Sequence, residues 1–302
     1  MLVGLDNEVV FKKAFTNKIV FVGFIKDILG FEVEVEKIET EKSFIPKIGN
    51  IAFKYDVFAE TLDKRMIIEI QKVDYDHNFD RFLHYHLQAI TQQQQSSRDY
   101  TIAQIVYTIV LLTVPYTVSQ KNGQPIQDEF LLSTINPKNL KGNELEVYGH
   151  QLIFLNPNYR SKDTPPDIKD WLDLIYESIH NPKNPHINLA KPAIKKAAEL
   201  IDYNDMSSEE ITESKNEEAR KITLSIYEER GMQKGLEEGM EKGMEEGMEK
   251  GMEKGLKEGL EKGERTAKIE MAKKMIAQGF SISDTAKITG LKKSEIKNLS
   301  LQ

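Results

Sequence analysis

Apolar positions recur at near-helical spacing over residues 7–29, where Phe11, Phe15, Phe21, Ile25, Ile28 and Leu29 mark one face and Gly30 closes the run. This predicts a helix. Residues 31–39, Phe-Glu-Val-Glu-Val-Glu-Lys-Ile-Glu, alternate strictly, as a half-buried strand does. Two more strand patterns cover 51–60 and 65–72, with Leu62-Asp63-Lys64 as a tight connection, which predicts a hairpin. Helical spacing returns over 76–95 through Phe79, Phe82, Leu83, Leu87 and Ile90. The most apolar run, 102–114, is too short for a membrane helix and contains Gln104 and Thr108, so 100–115 reads as a buried strand. The order helix, strand, strand, strand, helix, strand predicts a mixed sheet with helices packed on it. Residues 145–155 read as another strand. Residues 167–179 read as an amphipathic helix holding Trp171, the single tryptophan, as a core anchor. Residues 188–230 read as mostly helical and strongly charged.

Beyond that point the pattern changes. Glycine occupies every fourth position from Gly231 to Gly263, nine times, followed each time by Met or Leu up to Leu260. A four-residue period drifts by about 40° per repeat on a helix, so a partner following the stripe would wind right-handedly. Each Gly costs about 1 kcal/mol against Ala, which makes an isolated helix marginal. A charged spacer and a helix–helix contact giving a homo-oligomer are both open, with the spacer favoured. Residues 267–302 read as three short helices, at 267–278, 283–289 and 294–299. Ala286, Gly290 and Ile296 stand as a helix-turn-helix requires: small where helices cross, Gly for positive φ, apolar toward the core. Lys292, Lys293 and Lys297 are placed to meet phosphate, although a small helical cap that binds protein fits the same pattern.

Charge alters this picture only locally. The chain of 302 residues carries a net −7, which disfavours phosphate binding as a whole. Residues 264–302 nonetheless hold eight Lys or Arg against four Asp or Glu, and local patches outweigh the sum. Cysteine is absent, which excludes disulfides, thiolate catalysis and Cys-based zinc sites. The first ten residues include Asp6 and Glu8 and lack an export-signal pattern, so a cytoplasmic location and no membrane partner are expected.

Candidate chemistry lies on the hairpin. Asp56 sits inside the second strand pattern, and Glu69 and Gln71 inside the third. Glu69 and Gln71 are two apart and share a face, with Ile68 and Ile70 on the other. Buried polar groups on an apolar strand need a partner. A divalent cation suits two neighbouring carboxylates, and would generate a nucleophilic water near neutral pH. A surface hairpin with a solvated polar face accounts for the same spacing. His77, His84 and His86 read as surface or packing residues. The Gln92 to Gln95 run reads as a solvated helix end.

Those residues do not stand alone. Glu8-Val9-Val10-Phe11-Lys12-Lys13-Ala14-Phe15, Asp56-Val57, Glu69-Ile70-Gln71, Phe79-Asp80-Arg81 and Tyr85 together resemble the Rpn family of recombination-promoting nucleases, or PD-(D/E)XK nuclease family transposases, over residues 4 to 115. The resemblance implies Mg²⁺, or Mn²⁺, at Asp56 and Glu69, with DNA as substrate. It puts Gln71 where the broader superfamily often has Lys, so that a cation must come from Lys12, Lys72 or Arg81. It puts Glu8 where many relatives have an Asp on the first helix, able to hold a metal-bound water. Arg81 and Tyr85, at i and i+4, share a helix face and would clamp phosphate or orient Glu69. The implied class is α/β, a restriction-endonuclease-like PD-(D/E)XK core at 1–120. An extension at 121–200, a helical Gly-repeat stalk at 201–265 and a helix-turn-helix-like module at 266–302 follow. The expected activity is Mg²⁺-dependent DNA endonuclease, in recombination, mobile-element biology or defence; a non-catalytic DNA-binding scaffold and an RNA-directed enzyme are the alternatives.

Overall fold

The computed structural model describes residues 1–44, 53–72, 78–94, 100–115 and 123–299. The chain forms two compact units, Met1–Ile222 and Thr223–Gln302. Positions 51 and 52 of the second strand pattern, position 76 and His77 of the following helix pattern, and Gln95 lie outside the described residues.

The first unit begins with two helices where the apolar spacing predicts one. α1 (Glu8–Phe15) and α2 (Lys18–Leu29) are separated at Thr16-Asn17. Asn7 caps α1 by accepting from the Val9 and Val10 amides; Asn17 caps α2 by accepting from Ile19 and Val20. Each such cap is worth about 1 kcal/mol. Gly30 ends α2 at φ +77, as its position suggests.

The alternation over 31–39 predicts burial correctly and pairing incorrectly. Val33 and Val35 are buried and Glu32, Glu34 and Glu36 are exposed, yet the hydrogen-bonded strand β1 runs Ile38–Phe44. Period two reports which side chains face the core. It does not report whether a partner strand reaches that stretch.

Strands β2 (Phe53–Glu60) and β3 (Lys64–Gln71) form the expected antiparallel hairpin. Helix α3 (Asn78–Thr91) then connects β3 to β4 (Ile105–Leu112), which lies parallel beside it, as a crossover helix allows. β6 (Gln151–Leu155) pairs parallel with β4, and β5 (Phe130–Thr134) closes the edge antiparallel to β6. The sheet order is β1-β2-β3-β4-β6-β5. β5 is half exposed and lacks the apolar density that marks β4, so the sequence pattern passes over it.

Two layers of helix cover the sheet. α1, α2, α4 (Pro166–His180) and α5 (Pro192–Leu200) pack on the side chains of Val57, Met66, Ile68, Ile109, Leu111 and Ile153. Trp171 is fully buried there, edge-on to Phe24 with centroids 5.1 Å apart, and its indole N–H donates to Asp27 at 2.8 Å. α3 covers the other face, over Phe58 and Ile67 at one end and Val110, Leu152 and Phe154 at the other. Between those two apolar clusters lie buried polar residues, Glu69, Gln71, His86 and Thr108. The remaining helix of this unit is the first part of α6 (Ser208–Ala277).

The second unit holds the rest of α6 with α7 (Ile282–Thr289) and α8 (Lys293–Leu299). Residues 231–263 lie within α6; a Cβ added at any of the nine glycines meets open space, and the Met and Leu stripe is exposed. Gly290 ends α7 at φ +72. Ala272, Thr285, Thr289 and Ile296 are buried, whereas Ala286 is only half-buried, so Thr285 takes the interior place expected for Ala286.

Candidate active site

The pleat of β2 reverses at Asp56. Tyr55 and Phe58 pack in the α3-side cluster, while Val57 and Ala59 pack in the core on the opposite face. A regular strand would put 55 and 57 on one side. The β1–β2 register passes from Thr40–Val57 to Lys42–Tyr55, leaving Glu41 and Asp56 level but unpaired, and Glu41 has φ +56.

At this interruption side chains take over from the backbone ladder. The Asp56 amide donates to Glu69 Oε1 at 3.1 Å, and the Ile70 amide donates to Asp56 Oδ2 at 3.1 Å. Each carboxylate is therefore bonded to the other's strand. Among the described residues no donor reaches the second oxygen of either. Glu69 is only 2% exposed; burial, then the Asp56 charge, raises its carboxyl well above the ordinary value. Burial also raises Asp56, against the pull of the Ile70 N–H bond. Two buried carboxylates held this close favour a cation between them.

A cleft of about 350 Å³ opens in front of Asp56, and Gln71, Arg81 and Tyr85 form one wall. Arg81 Nη1 donates to Gln71 Oε1 at 3.2 Å, and its Nε and Nη2 donate to Tyr85 Oη at 3.4 and 3.2 Å. Arg81 thus fixes Gln71 through hydrogen bonds and reaches Glu69 only through its field. The facing wall comes from α1 and β1. Lys12 bonds both Glu8 and Glu41, the latter at 3.0 Å, and Glu41 also holds Lys54 at 2.6 Å. Burial works against the charges of Glu8 and Lys12, but their mutual bond wins: the Glu8 carboxyl is lowered and the Lys12 ammonium raised. Lys72 contacts Glu8 at 3.7 Å and bonds Glu217 of α6, whose other oxygen accepts from the Glu8 amide at 2.7 Å.

Seven of the residues singled out on the sequence, Glu8, Lys12, Asp56, Gln71, Lys72, Arg81 and Tyr85, line this one cleft, with Glu69 directly behind Asp56. Glu41 and Lys54 also line it, Glu217 supports it by bonding Lys72 and the Glu8 amide, and all three escape the sequence pattern. Lys54 is two residues before Asp56, which is a usable signal. Glu41 and Glu217 sit in charged stretches where nothing sets them apart from their neighbours. His84 is exposed and His86 buried, as surface and packing roles require. His86 Nδ1 lies 2.9 Å from Thr108 Oγ1, and burial, then His150, lowers its pKa to about 4. In the second unit, Lys292, Lys293 and Lys297 are exposed.

A family model described as PD-(D/E)XK nuclease family transposase matches residues 5–224. The chain belongs to that family. No curated protein and no solved structure matches it. The matched span includes every wall of the cleft and Glu217 beside it, and stops before the glycine repeat. Family membership ties the first unit to nuclease chemistry and to transposition or recombination, and its mixed sheet with flanking helices fits a PD-(D/E)XK-like fold.

Nucleases of this family generally use divalent metals, and the donor set here fits one. Among the described residues no cluster of three or more acidic or histidine ligands occurs; the two buried carboxylates bonded across the strands are Asp56 and Glu69. A pair of carboxylates completed by water and phosphate oxygens is how hard ions such as Mg²⁺ are commonly held. Among the described residues no helix is long and apolar enough to cross a membrane.

Proposed function

We propose that the first unit hydrolyses phosphodiester bonds in DNA with one divalent ion, Mg²⁺ or Mn²⁺, held by Asp56 and Glu69. The crossed bonding of two buried carboxylates at an interrupted strand pair carries this reading. Such an arrangement costs stability unless charge is balanced there. When bound, the ion supplies Lewis acidity toward the phosphate and a lower pKa for attacking water.

The chain's own residues do the rest. Gln71 orients water or a phosphate oxygen with its amide fixed by Arg81, and cannot act as a base. Lys12, whose field reaches both Asp56 and Glu69, supplies the positive charge that Lys gives elsewhere in the superfamily. Glu8 holds a water on the α1 side. Arg81, Tyr85 and Lys72 border the path of the substrate backbone. In the second unit Lys292, Lys293 and Lys297 contact DNA phosphate from a helix-turn-helix-like module at 266–302, after a spacer that self-associates weakly through its Gly and Met stripes. Membership in a transposase family supports a setting in recombination or mobile DNA.

Supercoiled plasmid tests this directly. Nicking with Mg²⁺ is expected, and its loss in EDTA and in the Asp56→Ala and Glu69→Ala variants. Nicking that persists in EDTA or in both variants removes the metal site. No nicking under any condition leaves a DNA-binding scaffold, and cutting confined to parallel RNA substrates redirects the activity. Sedimentation of the full chain against one ending at Arg230 tests the repeat; identical species end the assembly idea.

A further inference from the structure

We propose that Glu41 is a positioning residue whose side chain, carried on left-handed backbone, holds the Lys12 ammonium in the cleft beside Asp56. This rests on the nuclease reading above.

Glu41, at φ +56, is the one positive-φ residue other than glycine among the described residues. That conformation crowds the Cβ of an L residue, and glycine or asparagine would adopt it with less strain. Nothing in a strand selects glutamate there. Strain of this kind persists where the surroundings hold it in place, and it gathers at functional sites.

The surroundings are specific. Glu41 lies level with Asp56 at the step where the β1–β2 ladder is interrupted. β1 reverses its pleat there as β2 does: Ile38 packs toward the core under α1 and α2, and Phe44, of the same parity, packs with Tyr55 on the other face. The turned backbone of Glu41 thus lets β1 follow the distortion that frees the Asp56 carboxylate.

The side chain makes a second use of the turn. Its carboxylate accepts from Lys12 at 3.0 Å and contacts Lys54 at 2.6 Å. The Lys54 bond, then the Lys12 bond, lowers its pKa to about 2, so it stays charged through neutral pH. Lys12 is gripped from its other side by Glu8, one turn back on α1. Arg81 is engaged by Gln71 and Tyr85, and Lys72 by Glu217 and Glu8. Lys12 acts on both Asp56 and Glu69, and Glu41 sets where it does so from a different element of the fold.

The experiment uses full-length protein with E41Q, E41A, E41G, K12Q and the E41Q/K12Q pair. Nicking rates with Mg²⁺ and melting curves are measured on each. E41G should melt above E41A, because glycine relieves the left-handed strain. Both, and E41Q, should nick about tenfold more slowly than the natural protein, whatever their stability. E41Q/K12Q should be no slower than K12Q alone, because Glu41 acts through Lys12. Activity that follows stability, with E41G near the natural rate, overturns the proposal, as does additivity of the two changes. If the natural protein does not nick DNA, the nuclease reading fails instead. Glu41 is then judged on labelling by an amine-reactive acyl reagent with peptide mapping. Lys12 should label several-fold faster in E41Q, and unchanged labelling overturns its positioning by Glu41.

Discussion

On the face of the sheet covered by α1, α2, α4 and α5, the strands contribute Val57, Ala59, Met66, Ile68, Ile70, Ile109 and Leu111 to one continuous core. On the face covered by α3, apolar residues fall into two separate clusters, with Glu69, Gln71, Thr108 and His86 buried between them. The same strands supply both. The first face gains stability with each residue, about 1.5–3 kcal/mol for a fully buried aliphatic side chain. The second gives up part of that gain to keep ionisable groups away from water. Burial there raises Glu69 and lowers His86, the direction that disfavours charge in each case. One face of the sheet serves the fold, and the other holds buried ionisable groups in place.

The contrast is open to attack at several points. The largest effect is expected on the polar face. Glu69→Gln should reduce nicking by about 10³-fold or more, the scale of losing a principal electrostatic group. The same variant should be more stable than the natural protein when both are metal-free at neutral pH. Burial raises the Glu69 carboxyl well above its unfolded value. The destabilisation from its charge is therefore absent below the unfolded pKa and grows as pH rises above it, and glutamine removes it. Denaturant melts at pH 5 and pH 8 check this; a Glu69→Gln variant less stable than the parent at pH 8 breaks the comparison.

On the apolar face the balance should invert. Trp171→Ala should cost about 3–5 kcal/mol of stability, through the cavity and the lost indole bond to Asp27, which keeps only its Lys191 contact. Nicking per folded molecule should stay near the parent value. A fully stable Trp171→Ala variant that has lost activity would show that the faces do not divide the work.

A smaller effect separates the buried histidine from the acids. His86 titrates near 4 in the folded chain against an ordinary 6.5, so the stability from keeping it neutral is present above pH 6.5 and lost as pH falls toward 4. The loss reaches about 3 kcal/mol at the lower end. Thermal melts across that window should slope in the parent and flatten in His86→Leu. An equal slope in both moves the acid sensitivity elsewhere.

These contrasts follow features of differing visibility in the chain. The β2–β3 hairpin, α3 and β4 were legible because their apolar positions keep period through the element. The division of α1 from α2 was not, because the Phe spacing runs across Asn17 and its cap acts only on backbone. Asp56, Glu69 and Gln71 were legible as polar residues in apolar strands. Their crossing was not: period two puts 55 and 57 together, and only the reversed pleat at Asp56 separates them. Glu41 and Glu217 were hidden for a different reason. The place of Glu41 in the cleft depends on a turned backbone, and the support Glu217 gives Lys72 on a contact across 145 positions; local composition records neither.

The central claim is that Asp56 and Glu69 hold one divalent ion together. Isothermal titration of Mn²⁺ into the metal-free full-length protein, beside Asp56→Asn and Glu69→Gln, measures it without reference to activity. One site in the parent, weakened at least about tenfold by either single change, is the predicted result. Binding of unchanged affinity and number in both variants would contradict it.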